Sequence, residues 1–144
     1  MNGAPSEAVL LDTNAVIRFA NRALLEQRAI AAIDGARAAG GLYVSPVSAW
    51  EIGVLSCPQR AEPLHFAPDP KAWFARFMAQ SGVREAPYTA DIAIESSYLP
   101  GAPPKDPADR LLIATARHLN LTLVTRDREI IAYSRAGHVR VIGC

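Results

Sequence analysis

Residues 106–127 read Asp-Pro-Ala-Asp-Arg-Leu-Leu-Ile-Ala-Thr-Ala-Arg-His-Leu-Asn-Leu-Thr-Leu-Val-Thr-Arg-Asp, and two periodicities meet in that stretch. From Asp109, the residues Leu112, Ile113 and Ala116 follow at spacings of three, four and seven, which predicts one buried face of a helix over 108–119. Asp106 before Pro107 is a helix start, an acid as cap and a proline at the first helical position. The apolar run 121–124 then reads as a buried strand, with Asp127 shortly after it. A helix feeding an apolar strand is half of a parallel crossover unit.

Working outward, the same alternation recurs. The run 8–11 predicts a strand ending at Asp12, and the chain turns helical from Asn14, with Thr13 or Asn14 as its cap. An Ala-rich helix over 23–39 stops at Gly40-Gly41, and 42–44 is a second strand. Ser45-Pro46 opens a helix running through Trp50, Ile52 and Leu55. Four prolines in 58–70 mark a long loop. The stretch 71–80 is helical, with Trp73, Phe74, Phe77 and Met78 on one side as core. A short strand is expected at 83–86, a helix at 89–99, a rigid proline loop at 100–107, a short helix at 128–133 and a last strand at 139–142. Apolar strands alternating with helices predict a single α/β domain, its parallel sheet covered on both faces.

Composition agrees. The chain has 144 residues, 50% hydrophobic and 20% charged, the balance of a soluble globular domain. No apolar run approaches the roughly 18 residues of a membrane span. The first six residues lack the features of a signal peptide. Two cysteines, Cys57 and Cys144, make no disulfide framework. The expectation is a reduced, cytoplasmic protein without membrane contact. Residues 105–144 carry seven basic groups against four acids, and residues 1–104 eight against ten, for a net +1. A charge near zero predicts no strong global attraction to nucleic acid. Thirteen of the fifteen basic residues are arginines, a bias that reads chiefly as genome composition, although the guanidinium fork suits phosphate.

The chain has no GxGxxG, GxxxxGK[ST] or GxSxG motif. His65, His118 and His138 are scattered without metal-ligand spacing, which argues against zinc. Carboxylates remain. In open parallel sheets ligands bind beyond the carboxyl ends of the strands. Asp12 and Asp127 follow strands, Asp109 sits in the first turn of a helix, and Glu51 lies in the helix after the second strand. Four acids converging there repel one another unless a cation lies between them. Oxygen-only donors suit Mg²⁺ or Mn²⁺. Each acid also has a structural reading. Asp106 and Asp127 serve as helix caps, Asp109 complements the helix dipole or closes a capping box, and Glu51 is a solvated helix residue. For Asp109 the buried stripe beneath it favours a ligand role.

The order of four blocks carries a resemblance. Leu11-Asp-Thr-Asn14, Ser48-Ala-Trp-Glu-Ile52, the stretch from Lys105 to Ala116 and Leu123-Val-Thr-Arg-Asp127 resemble the motifs of PIN-domain proteins, most of all the VapC-type toxins of bacterial toxin–antitoxin pairs. The likeness spans nearly the whole chain. It implies a three-layer α/β/α sandwich and an Mg²⁺- or Mn²⁺-dependent endoribonuclease. Asp12, Glu51, Asp109 and Asp127 match the metal-holding acids of that family. Asp106 matches an additional acid that caps or supports them, and Asn14 and Thr125 match polar positions that orient the carboxylates or contact the metal's water. Arg110 matches an arginine to which no role is assigned. Two positions depart from the pattern: Pro104 stands where many relatives have histidine, and Leu55 where a lysine is common. Both bear on substrate contacts more than on metal binding.

The resemblance also implies a VapB-type antitoxin, a structured RNA substrate and a homodimer. Four clustered carboxylates offer an anionic pocket for an antitoxin guanidinium. Phe19, Leu24 and Leu25 are candidates for an apolar partner surface, with core packing as the alternative. Other classes fit less well. A haloacid-dehalogenase-type phosphotransferase needs a second acid where Asn14 stands, and a receiver domain needs a lysine after a late strand. A catalytically silent PIN-like binding module and a housekeeping PIN nuclease are the alternatives that keep the fold.

Overall fold

Three apolar strands lie at the centre of the sheet because their side chains are buried on both faces. In the computed structural model, which describes residues 7–23 and 25–144, these are β1 (Val9–Leu11), β2 (Leu42–Val44) and β4 (Thr122–Thr125). Two short edge strands, β3 (Arg84–Glu85) and β5 (Val141–Gly143), complete a five-stranded sheet of order β3-β2-β1-β4-β5. All four pairings are parallel. Side chains alternate across it. Val9 and Leu11, Leu42 and Val44, and Val124 enter one core, while Leu10 and Leu123 enter the other.

The first core is closed by α1 (Thr13–Ala20), α2 (Gln27–Ala38), α3 (Pro46–Ser56) and α4 (Pro70–Gln80). The second is closed by α6 (Pro107–Leu119) and α7 (Arg128–Ser134). The short α5 (Ala90–Glu95) packs on α6. This is the expected three-layer α/β/α arrangement. The stripe Leu112, Ile113 and Ala116 is fully buried as predicted. Among the described residues, no helix is long and apolar enough to cross a membrane.

Several expectations shift. The helix expected from residue 23 begins at Gln27, after Arg22 takes a positive φ of 53°. The cap of α1 is Asp12, not Thr13 or Asn14: its Oδ1 accepts the Ala15 N–H at 2.8 Å. The aromatic stripe of α4 is core, Phe77 packing edge-on to Phe19 and stacked with Trp73. The buried Leu25 belongs to the first core, the half-buried Phe19 packs against it, and Leu24 lies outside the described residues. The large apolar side chains that do face outward include Trp50, Ile94 and Tyr98.

Register decides where the site lies. Leu11 pairs with Val44 on one side and Val124 on the other, so three strands end level. The chain runs outward from β1 through β2 to β3, then returns to β4 on the opposite flank of β1. The strand order reverses between β1 and β4, and in parallel sheets such a switch point opens a crevice.

Candidate active site

Asp12 and Asp127 stand on the two sides of that crevice. Asp12 follows β1 directly and is 5% exposed, deep for a carboxylate. Its backbone N–H reaches Val124 O of the neighbouring strand at 3.0 Å. Its Oδ2 accepts the hydroxyl proton of the buried Thr125. Thr125 Oγ1 in turn accepts the Asp127 N–H at 2.9 Å. Asp127 caps α7, with Oδ1 accepting from the Glu129 and Ile130 N–H groups at 2.9 and 3.0 Å. The matched polar position Thr125 thus holds both acids. Asn14 does not: it is exposed and bonds to none of them.

Glu51 is brought in from α3. Ser45 caps that helix, accepting the Val47 N–H at 2.9 Å, with Pro46 at the first position. Three residues after the buried Ser48, Glu51 projects half-buried toward α1, where Thr13 Oγ1 donates to its Oε1. Thr13 Oγ1 also lies 3.0 Å from Ser48 Oγ. Thr13 and Ser48 were missed as site residues. The available signal was the small polar residue in each acidic block.

Asp106 is an N-cap, its Oδ1 accepting the Asp109 N–H at 3.0 Å. The Asp109 carboxylate makes no reciprocal capping-box bond and, among the described residues, accepts no hydrogen bond. Arg110 donates from Nε to Pro104 O at 2.7 Å and so fastens the proline loop over the start of α6.

These acids act on one another electrostatically. Burial, then the fields of Asp127, Asp106, Glu51 and Asp12, push the Asp109 carboxyl up to about 7. Burial, aided by Glu51 and Asp127, lifts Asp12 to about 6 against the bonds from Thr125 and Ala15. Burial and Asp106 also raise Glu51, opposed by Thr13. The four charges acting most strongly on Asp109 are all carboxylates. Among the described residues, no three acid, imidazole or thiol groups are already gathered as a closed ligand set. The donor set still fits a hard divalent cation. It is all oxygen, partly desolvated and crowded with like charge, and Asp109 has its lone pairs free.

Other candidates fall elsewhere. His118 Nδ1 lies 2.9 Å from Glu95, and the His138 ring packs beside Tyr133. His65 is exposed on the long loop. Cys57 and Cys144 are free thiols. Of the six arginines after residue 109, Arg117 donates to His138 O, and Arg140 to Asn120 and Thr122. With Arg110, that commits three of them to the fold. Arg126 and Arg128, on either side of Asp127, are exposed.

No curated protein matches the chain. Among solved structures, the DNA-bound VapBC complex of Salmonella typhimurium contains a chain with TM-score 0.64 and 18% identity, aligned over 94% of this chain and 97% of that one. VapBC2 of Rickettsia felis bound to a promoter DNA fragment gives TM-score 0.61 at 13% identity, covering 94% and 98%. FitAcB of Neisseria gonorrhoeae gives 0.54 at 22%, covering 93% and 96%. These likenesses establish the shared fold. The family profile described as PIN domain matches residues 9–136, from the first strand past α7. The chain belongs to the PIN domain family.

Proposed function

We propose that this protein is a divalent-metal-dependent endoribonuclease and the toxin of a toxin–antitoxin pair. What supports the reading is the mutual influence of Asp12, Glu51, Asp109 and Asp127 beyond the β1 and β4 strand ends, with Asp109 half-buried under the fields of the other acids. These four side chains would hold Mg²⁺ or Mn²⁺. A bound ion of this kind lowers the pKa of water and offsets charge on a phosphodiester. The carboxylates act as ligands rather than covalent nucleophiles. Thr125 and Thr13 aim them, and Asp106 orders the first turn of α6.

The partners follow from the same site. A VapB-type antitoxin fits, one of whose guanidinium groups pairs with the carboxylates. Similarity in fold to chains from VapBC and FitAcB complexes supports it. A homodimer is the assembly proposed, two-fold pairs being the commonest among soluble oligomers. The proposed place of action is the cytoplasm, where the RNA substrate and the antitoxin would both be met.

The test is cleavage of structured RNA by the purified chain with Mn²⁺ or Mg²⁺, beside a chelator control and Asp12→Asn. Metal-dependent cleavage lost in the variant is the expected result. Undiminished cleavage in excess chelator overturns the metal mechanism. Binding of RNA without cleavage under any metal converts the reading to a silent binding module. Growth arrest on expression, relieved by co-expression of a small partner, separates a toxin from a housekeeping nuclease.

A further inference from the structure

Beside the acid cluster, a cleft of about 550 Å³ separates the proline loop from α7. Pro103, Pro104 and Lys105 line one wall, and Glu129, Ala132 and Tyr133 the other. Both walls lead into the acids. Lys105 directly precedes Asp106, and the Glu129 N–H is held by Asp127 Oδ1 at 2.9 Å. The volume is within the roughly 300–1,000 Å³ range of small-ligand sites.

The cleft is fixed in shape. The Tyr133 hydroxyl donates to Pro100 O at 2.6 Å, tying α7 to the start of the loop, and Arg110 ties the loop's far end through Pro104 O. Gly101 takes φ +70°, and a Cβ there would meet the His138 ring at 3.1 Å, so the loop packs closely on α7's flank. Two charges on this cleft are uncommitted. Lys105 and Glu129 are exposed and, although both line it, form no ion pair with each other. They are therefore available to a ligand carrying both an anion and a hydrogen-bond donor.

We propose that this cleft is a subsite for one unpaired nucleotide of the substrate, next to the scissile phosphate. The inference rests on the nuclease reading above and adds the base contact. Lys105 meets the phosphate. Pro103 and Ala132 offer apolar contact to the base. The Glu129 carboxylate accepts from an exocyclic amino group, which cytosine and adenine carry and uracil lacks. Readers of unpaired RNA select splayed-out bases by such edge contacts.

Cytidine and uridine 5′-monophosphates, which differ only on the base edge at positions 3 and 4 (acceptor N3 and amino N4 against N3–H and carbonyl O4), are the probes, titrated into the full chain by NMR. Cytidine monophosphate should shift the signals of Ala132, Tyr133 and Lys105 and bind about fivefold or more tightly than the uridine form. Glu129→Gln should erase the preference, and Lys105→Met should weaken both ligands while keeping it. Equal binding of the two nucleotides to the unaltered chain, or shifts confined to other surfaces, overturns the subsite. RNA cleavage with no preference for cytidine or adenosine over uridine sinks the subsite alone. Cytidine monophosphate seated in the cleft of a chain that cleaves no RNA keeps the subsite and overturns the nuclease reading.

Discussion

Thr125 Oγ1 donates to Asp12 Oδ2 across the adjacent strands β1 and β4, joining residues 113 positions apart. The same oxygen accepts the Asp127 N–H, so one buried hydroxyl sets two acids in register. Metal sites depend on such supporting bonds, whose loss typically costs about 10- to 100-fold in affinity or activity. Thr125→Val, nearly equal in volume, should lower Mn²⁺ affinity and cleavage by that order while costing about 1–3 kcal/mol of stability. Thr125→Ser should restore most of the metal affinity. Calorimetric titration of Mn²⁺ into each variant checks it, and unchanged affinity in the valine variant refutes the role.

Asp12 caps α1 as well as facing the site, and the two jobs separate by substitution. Asparagine is as good a cap as aspartate, whereas alanine costs about 0.5–2 kcal/mol. Asp12→Asn should therefore abolish cleavage with the melting temperature held or raised, because the buried charge is gone. Asp12→Ala should lose both activity and stability. Retained cleavage in Asp12→Asn contradicts the ligand assignment.

Asp106 separates in the opposite direction. Its bond to the Asp109 N–H is a capping bond, which Asp106→Asn preserves. That variant should keep cleavage within a few-fold and keep its stability, while Asp106→Ala loses about 1 kcal/mol. A large loss of metal affinity in Asp106→Asn would make Asp106 a ligand.

The acids also impose a pH dependence on the metal-free chain. Asp12 and Asp109 titrate at about 6 and about 7, above the 3.8 of an unfolded aspartate. The folded form thus binds protons more tightly, so their stabilising contribution is complete below about pH 4 and is lost as pH rises through 6 to 7. The Asp12→Asn, Asp109→Asn double variant should melt higher than the unaltered chain at pH 8, with the gap closing toward pH 5. Added Mn²⁺ should raise the melting temperature of the unaltered chain most at pH 8. A gap that widens on acidification would show the signs to be reversed.

The arginines divide into two groups by what they already hold. Arg126→Gln and Arg128→Gln should each weaken RNA binding and reduce its log–log salt slope by about one. Arg140→Gln removes the bonds to Asn120 and Thr122 that brace the turn after α6. It should lower the melting temperature and leave the slope alone. Fluorescence anisotropy across a salt series distinguishes these patterns.

Much of the architecture was legible because it is locally encoded. Apolar runs at 8–11, 42–44 and 121–124, each short and bounded by turn or cap residues, read as buried strands, and the spacing Leu112, Ile113, Ala116 reads as one helix face. The cap at Asp106 follows from two adjacent residues. Which acids share a space is a long-range matter. The sheet order and level strand ends bring Asp12 to Asp127, and the packing of α1 on α3 brings Thr13 to Glu51, 38 positions away. Local pattern likewise left Phe19 and Leu25 open between surface and core; in the fold Leu25 is buried and Phe19 packs half-buried against Phe77 of α4. Arg110, Arg117 and Arg140 look alike in sequence to Arg126 and Arg128, since a guanidinium is spent or free according to which carbonyl the tertiary fold places beside it. The chain's residues determined its layers and its supply of carboxylates, because helices, strands and caps form from neighbours within a few positions. The tertiary structure decided which acids meet and which side chains hold them, because those contacts exist only after distant strands have paired.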